Sequence, residues 1–206
     1  MITAFAPSRV VLRHSVGALS DRAGTSYAKL LTEEITGPLR LRDTIESLSA
    51  QQRLRLIQGY TAEHRRIRAW DFEALAGAGA IRSTADDMLT YLQANLHPER
   101  LQATSAATAA ARTLPGALRL SHELRADAGP LLRIGFAWLY NPRTGDYWHN
   151  GATGGYSSYV FFNPQVDYAG VVLMNMGVSP EEEFMDLLGL HISQRFAGKP
   201  AIVLSK

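Results

Sequence analysis

The run His149-Asn150-Gly151-Ala152-Thr153-Gly154-Gly155-Tyr156-Ser157-Ser158-Tyr159-Val160-Phe161-Phe162 constrains the fold more than any other stretch of the chain. A glycine-laced turn feeds a strand of aromatic and β-branched residues directly after a histidine on the preceding strand, and strands joined by so short a turn pair antiparallel. This part of the chain is therefore committed to a hairpin within a sheet.

The pattern continues on both sides. Leu132, Ile134, Phe136, Trp138 and Tyr140 alternate with smaller or polar residues, which predicts a strand, and Asn141-Pro142-Arg143-Thr144-Gly145 is turn chemistry. Further strands are expected over 147–151, 156–162 and 168–175, with Asn163-Pro164 as the last turn. Ser179-Pro180-Glu181-Glu182-Glu183 opens a final helix whose Phe184, Leu187, Leu188 and Ile192 are expected to face the sheet.

Upstream, the apolar period is helical. Residues 17–24 read as a helix end closed by glycine; Tyr27, Leu30, Leu31 and Ile35 share one face of a second helix with Gly37-Pro38 as its stop. A helical segment is expected over about 50–57. Ser83 is the expected cap of a helix carrying Ala85, Met88, Leu89, Leu92 and Leu96 on one stripe, ended by Pro98. The alanine-rich stretch 101–113 is expected to be helical and to break at Pro115-Gly116. Residues 1–16 show neither period. The expected fold is α+β in a single domain: a helical lobe over about 17–130, then over about 131–206 an antiparallel sheet covered by a C-terminal helix.

Composition narrows the chemistry. A chain of 206 residues, 46% hydrophobic, can bury a sizeable core. Its formal charge of +2 is too small for a nucleic-acid footprint, and His64-Arg65-Arg66-Ile67-Arg68 reads as a solvated loop. With no cysteine there is no disulfide, thiolate site or Cys nucleophile. The six histidines are scattered without metal-ligand spacing, His122-Glu123 lacks a second histidine four residues on, and neither metal nor cofactor is expected. No apolar run approaches the ~20 residues of a membrane span. Arg9, Arg13 and His14 interrupt any signal-peptide core, so the chain as written reads as cytoplasmic.

Alternation along the expected 147–151 strand puts His149 and Gly151 on one face and Asn150 on the other. Gly151 leaves that face open beside the imidazole, so a ligand backbone could lie against the strand. From spacing alone the pattern also fits a plain sheet-edge histidine followed by a glycine turn.

The run Gly151-Ala152-Thr153-Gly154-Gly155, an aromatic, then Ser158-Tyr159-Val160, Phe162, Pro164, Val172-Leu173 and Asn175 resembles the third catalytic motif and following strand of the serine β-lactamase and penicillin-binding families, most closely the class C β-lactamase and DD-carboxypeptidase branch. Ala23-Gly24-Thr25-Ser26-Tyr27 through Gly37-Pro38-Leu39, Leu41-Arg42-Asp43-Thr44, and Ala76-Gly77-Ala78-Gly79 through Asp87-Met88 resemble the same family, so the likeness runs from about Gly17 to the last helix.

The resemblance implies a serine acyl-transfer site in a cleft between the helical lobe and the sheet, acting on β-lactams or D-Ala peptides. His149 takes the place of the third motif's Lys or His, which supports the site electrostatically. Ala152 supplies one backbone N–H of an oxyanion hole beside Gly151, and Asn150, Thr153 and Tyr156 fall on the substrate side. The resemblance also calls for a Ser-x-x-Lys nucleophile and a Tyr-x-Asn motif. Ser26-Tyr27-Ala28-Lys29 spells the first, but Ser26 and Lys29 lie opposite the buried face with Glu33, and the segment matches a helix well after the family's nucleophile. The second should fall near Pro7-Ser8-Arg9, where no tyrosine stands.

The chain thus reads as the C-terminal part of such a domain, truncated and catalytically incomplete. The alternative is a non-catalytic binding module that keeps the His149 cleft for peptidoglycan-type peptides or a partner protein. The resemblance suggests a periplasmic setting, and it leaves the 168–175 strand as a bare sheet edge prone to self-association.

Overall fold

The shift from a helical to a two-residue apolar period near residue 131 marks a change of architecture. The computed structural model describes residues 2–3, 17–70, 79–101, 108–178, 184–200, 202 and 204. A short strand, β1 (Ile2–Thr3), precedes a helix over 17–23, α1. Gly24 closes α1 with φ +63, its amide on the Asp21 carbonyl.

Gly37-Pro38 does not stop the next helix as the sequence predicts. α2 (Tyr27–Leu31) passes through a π-type turn over Thr32–Thr36, closed by the Gly37 amide on Thr32, and continues as α3 (Gly37–Leu39). Pro38 stands in the first turn of α3, where its missing N–H is not needed, and the chain leaves at Arg40 with φ +57. Ser49 and Gln52 form a reciprocal capping box for α4 (Ala50–Arg55). A small hairpin follows, β2 (Gly59–Tyr60) with β3 (Arg66–Ile67), and then β4 (Arg82–Ser83), which pairs antiparallel with β1.

The cap of α5 (Ala85–Leu96) is Thr84, not Ser83: the Thr84 hydroxyl accepts from the Asp87 amide at 3.3 Å. Ser83 lies in β4, its hydroxyl 2.8 Å from that of Thr44. α6 (Ala109–His122) runs straight through Pro115, against expectation. Leu114 and Leu118, both 4% exposed, sit one turn apart on its inner face and pack with Leu39, Leu41 and Ala94, and that burial outweighs the proline's cost.

The sheet follows as a meander of β5 (Ala126–Asp127), β6 (Arg133–Ile134), β7 (Leu139–Asn141), β8 (Asp146–Thr153), β9 (Tyr156–Asn163) and β10 (Tyr168–Met174), antiparallel and ordered in space as in sequence. Each of its reversals holds a residue with positive φ: Gly129, Ala137, Gly145, Gly155 and Asp167. The strand expected over 132–140 is in fact the β6–β7 hairpin. Gly135 comes so close to the end of α6 that a Cβ there would lie 2.5 Å from the Ser121 carbonyl, and Ala137 reverses the chain at φ +67.

Helices cover both faces. On one, Leu92 and Met88 of α5 pack on Trp138, Tyr147, Val160, Phe162 and Val171; on the other, Met185 and Ile192 of α7 (Phe184–Phe196) pack on Trp148, Tyr159, Phe161 and Val172. α7 docks through Met185, Gly189 and Ser193 rather than through Phe184 and Leu188. A Cβ on Gly189 would lie 2.2 Å from the Tyr159 ring, so helix backbone rests almost directly on the aromatic. The proposed opening of this helix at 179–183 lies outside the described residues. Among the described residues no helix is long and apolar enough to cross a membrane.

Candidate functional site

Strand β8 outruns one neighbour. It pairs with β9 from Tyr147 to Thr153, but with β7 only from Asp146 to Trp148. From His149 onward β8 therefore has a single strand partner among the described residues, and Gly151 and Ala152 are partly exposed there. Tyr147 belongs to the α5 side of the sheet and Trp148 to the α7 side. Alternation then puts His149, Gly151 and Thr153 toward α5 and Asn150 and Ala152 toward α7.

His149 faces the helical side, as its position predicts, but its setting is tighter than an open wall: 7% of it is exposed, and Val160 stands opposite on β9. Its Nδ1 lies 2.5 Å from the carbonyl oxygen of Asn150. A carbonyl only accepts, so Nδ1 carries the proton in this contact, and in the neutral ring Nε2 is the acceptor nitrogen. Burial pushes the imidazole down to about 4, with the Asn150 carbonyl pulling weakly the other way. His149 is thus neutral at pH 7. It brings a neutral imidazole to this place rather than the charge that a lysine would bring.

Two of the other predicted residues, Asn150 and Tyr156, are held from outside the sheet. Asn150 Nδ2 lies 2.8 Å from each carboxylate oxygen of Asp186 in the first turn of α7. Thr153, 7% exposed, is the last pair of the β8–β9 ladder, opposite Tyr156. Tyr156 is 1% exposed, and its hydroxyl donates to the Ile57 carbonyl at 2.7 Å.

The turn joining these strands is clamped. A Cβ on Gly154 would fall 2.2 Å from the Trp70 indole nitrogen, and one on Gly155, at φ +80, 2.5 Å from Ile67 and 3.0 Å from the backbone of Gly59. The Tyr60 amide reaches the Asn175 carbonyl at 3.0 Å, and the Ser157 hydroxyl donates to Met176 at 2.9 Å. Hence β2–β3 and the segment after β10 lock the tip in place, and both glycines are needed for that close approach.

Ser26 and Lys29 are not joined to this strand. The Ser26 hydroxyl caps α2 by accepting from the Lys29 amide at 3.3 Å, and the Lys29 ammonium stands 3.7 Å from Glu33, the two side chains 61% and 54% exposed. The position expected for Tyr-x-Asn, Pro7-Ser8-Arg9, lies outside the described residues.

Sequence reasoning missed Asp186 and Trp70. The only signal for Asp186 is a lone acid among the apolar residues of Phe184-Met185-Asp186-Leu187-Leu188. Among the described residues no group of three or more His, Asp or Glu is placed to hold a metal ion. A separate surface groove, walled by Arg40, Leu89, Gln93, His97 and Tyr168, shares no residue with β8.

A family model described as Beta-lactamase matches residues 9–192, beginning somewhat before the Gly17 at which the likeness is first legible by eye. The D-alanyl-D-alanine-carboxypeptidase/endopeptidase AmpH of Escherichia coli (strain K12) is 25% identical over 194 residues, which take in 90% of this chain and 49% of that protein. A Beta-lactamase of Pseudomonas fluorescens is 26% identical over 201 residues, 84% of this chain and 56% of that one. The chain spans about half the length of these relatives. The D-alanine Carboxypeptidase AmpC from Burkholderia cenocepacia superposes with a TM-score of 0.74 at 20% identity, over 95% of this chain and 61% of that one. The α+β fold is shared with that protein.

Proposed function

The chain belongs to the β-lactamase family, and from that membership we propose that it is a β-lactamase-like or D-alanyl-D-alanine carboxypeptidase-like serine hydrolase domain, catalytically incomplete over these 206 residues, whose β8 edge receives β-lactams or D-Ala-terminated peptides. The observation that carries the reading is the extension of β8 past the end of β7 with His149 and Gly151 on the helical side. A peptide-like ligand lies along that edge and takes main-chain hydrogen bonds from it. Gly151 admits its backbone, and the Ala152 N–H serves as one donor to a carbonyl oxygen under attack. His149, neutral, meets the ligand through hydrogen bonding. Thr153 and Tyr156 flank the site on the His149 face, Tyr156 tied to Ile57, while Asn150 braces the strand from the opposite face through Asp186.

Ser26 and Lys29 take no part as nucleophile and base. Their polar groups serve α2 and the Glu33 ion pair. This observation also favours the second reading, a non-catalytic module that binds peptidoglycan-type peptides or a partner protein in the same cleft. A nucleophile and its proton-handling partners act as a unit, so without them at most weak residual chemistry remains.

Two measurements on the purified chain test the proposal. Equilibrium binding of a D-Ala-D-Ala peptide is expected, weakened by His149→Ala; no saturable binding at millimolar peptide would remove it. Turnover of a chromogenic cephalosporin is expected to be absent. Hydrolysis that Ser26→Ala abolishes would overturn the claim of incompleteness.

A further inference from the structure

The geometry around Asn150 assigns a role to a residue far away in sequence. α7 approaches the sheet closely because Gly189 rests on Tyr159, and Tyr159 is the cross-strand partner of Asn150. Asp186 lies one turn before Gly189, so the same close docking sets its carboxylate over Asn150. The Asn150 amide carries two hydrogens, and its nitrogen is 2.8 Å from both Asp186 oxygens. One N–H of Asn150 thus points between the two oxygens of a single carboxylate, a charge-assisted bond that orients the side chain. The backbone carbonyl of the same residue accepts from His149 Nδ1.

We propose that Asp186 is a positioning residue for the β8 edge: acting through Asn150, it holds the peptide carbonyl that selects the tautomer and orientation of the His149 ring. The inference rests on the reading of that edge as a ligand site. Asp186 itself touches no ligand, lying on the α7 side of the sheet while His149 and Gly151 face α5. Its effect travels from carboxylate to amide, from amide to peptide unit, and from peptide unit to imidazole.

The test uses the full chain with ¹⁵N-labelled histidine. In the unaltered protein the His149 nitrogen shifts report the Nδ1–H tautomer. Asp186→Ala and Asn150→Ala each shift the ring toward a mixture of tautomers, Asp186→Asn does so less, and the double variant gives no more than either single change. D-Ala-D-Ala peptide binding weakens by up to about tenfold in Asp186→Ala, because a ring no longer held in one tautomer and orientation must be re-ordered on binding. A role confined to docking α7 would lower the melting temperature and leave the His149 signals of the folded protein unchanged, which overturns the proposal, as would additive effects in the double variant. The tautomer readout needs no ligand. Failure of the unaltered chain to bind peptide would sink the proposed site while leaving the effect of Asp186 on His149 to be judged alone; if Asp186→Asn and Asp186→Ala both leave the signals unmoved, the positioning role falls even where peptide binds.

Discussion

At the residue scale the candidate site turns on His149. Its face of the strand was legible because strand alternation is strict, whereas its burial was not, since Val160 reaches it only through the β8–β9 register. Burial holds its imidazole down at about 4 from an ordinary 6.5, and His122 is held down at about 4 for the same reason. The unfolded chain therefore binds protons between about pH 6.5 and 4 that the folded protein refuses. Their stabilising contribution is fully present above the unfolded value and is lost as pH falls through that window. Urea unfolding at a series of pH values should show it, and His149→Gln should flatten the acid limb by up to about 3 kcal/mol between pH 7 and 4. An unchanged acid limb would mean that the ring titrates normally. Asp186 and Asn150 could not have been joined by reading the chain: they lie 36 residues apart, and Asp186 belongs to no motif.

At the element scale, the sequence misled where tertiary contact overrode local preference. Pro115 reads as a breaker, but Leu114 and Leu118 are buried on either side of it. Apolar alternation over 132–140 reads as one strand, but Phe136, 56% exposed, lies in a turn. The contact face of α7 was hidden because its centre is glycine and serine rather than leucine. Gly189→Ala should cost about 1–3 kcal/mol through overpacking against Tyr159, read as a lower urea midpoint; an unchanged midpoint would show that α7 can lift without loss. Among the described residues β10 ends the sheet, with β9 as its single partner in the strand order. Such an edge is a template for pairing with another copy. Light scattering at tens of micromolar should report self-association, and a clean monomer would contradict it.

At the scale of the whole molecule, the chain belongs to the β-lactamase family, folds as helices around an antiparallel sheet, and spans about half the length of the relatives it matches. If β8 receives a ligand as proposed, recognition without turnover is expected. The groove at Arg40 and His97 is the natural competitor, because it is open and shares nothing with β8. Titrating a D-Ala-D-Ala peptide into ¹⁵N-labelled protein separates the two most directly. Saturable shifts of the His149, Gly151, Ala152 and Thr153 amides, lost in His149→Ala, are the predicted result; shifts confined to the groove, or none at millimolar peptide, would contradict it.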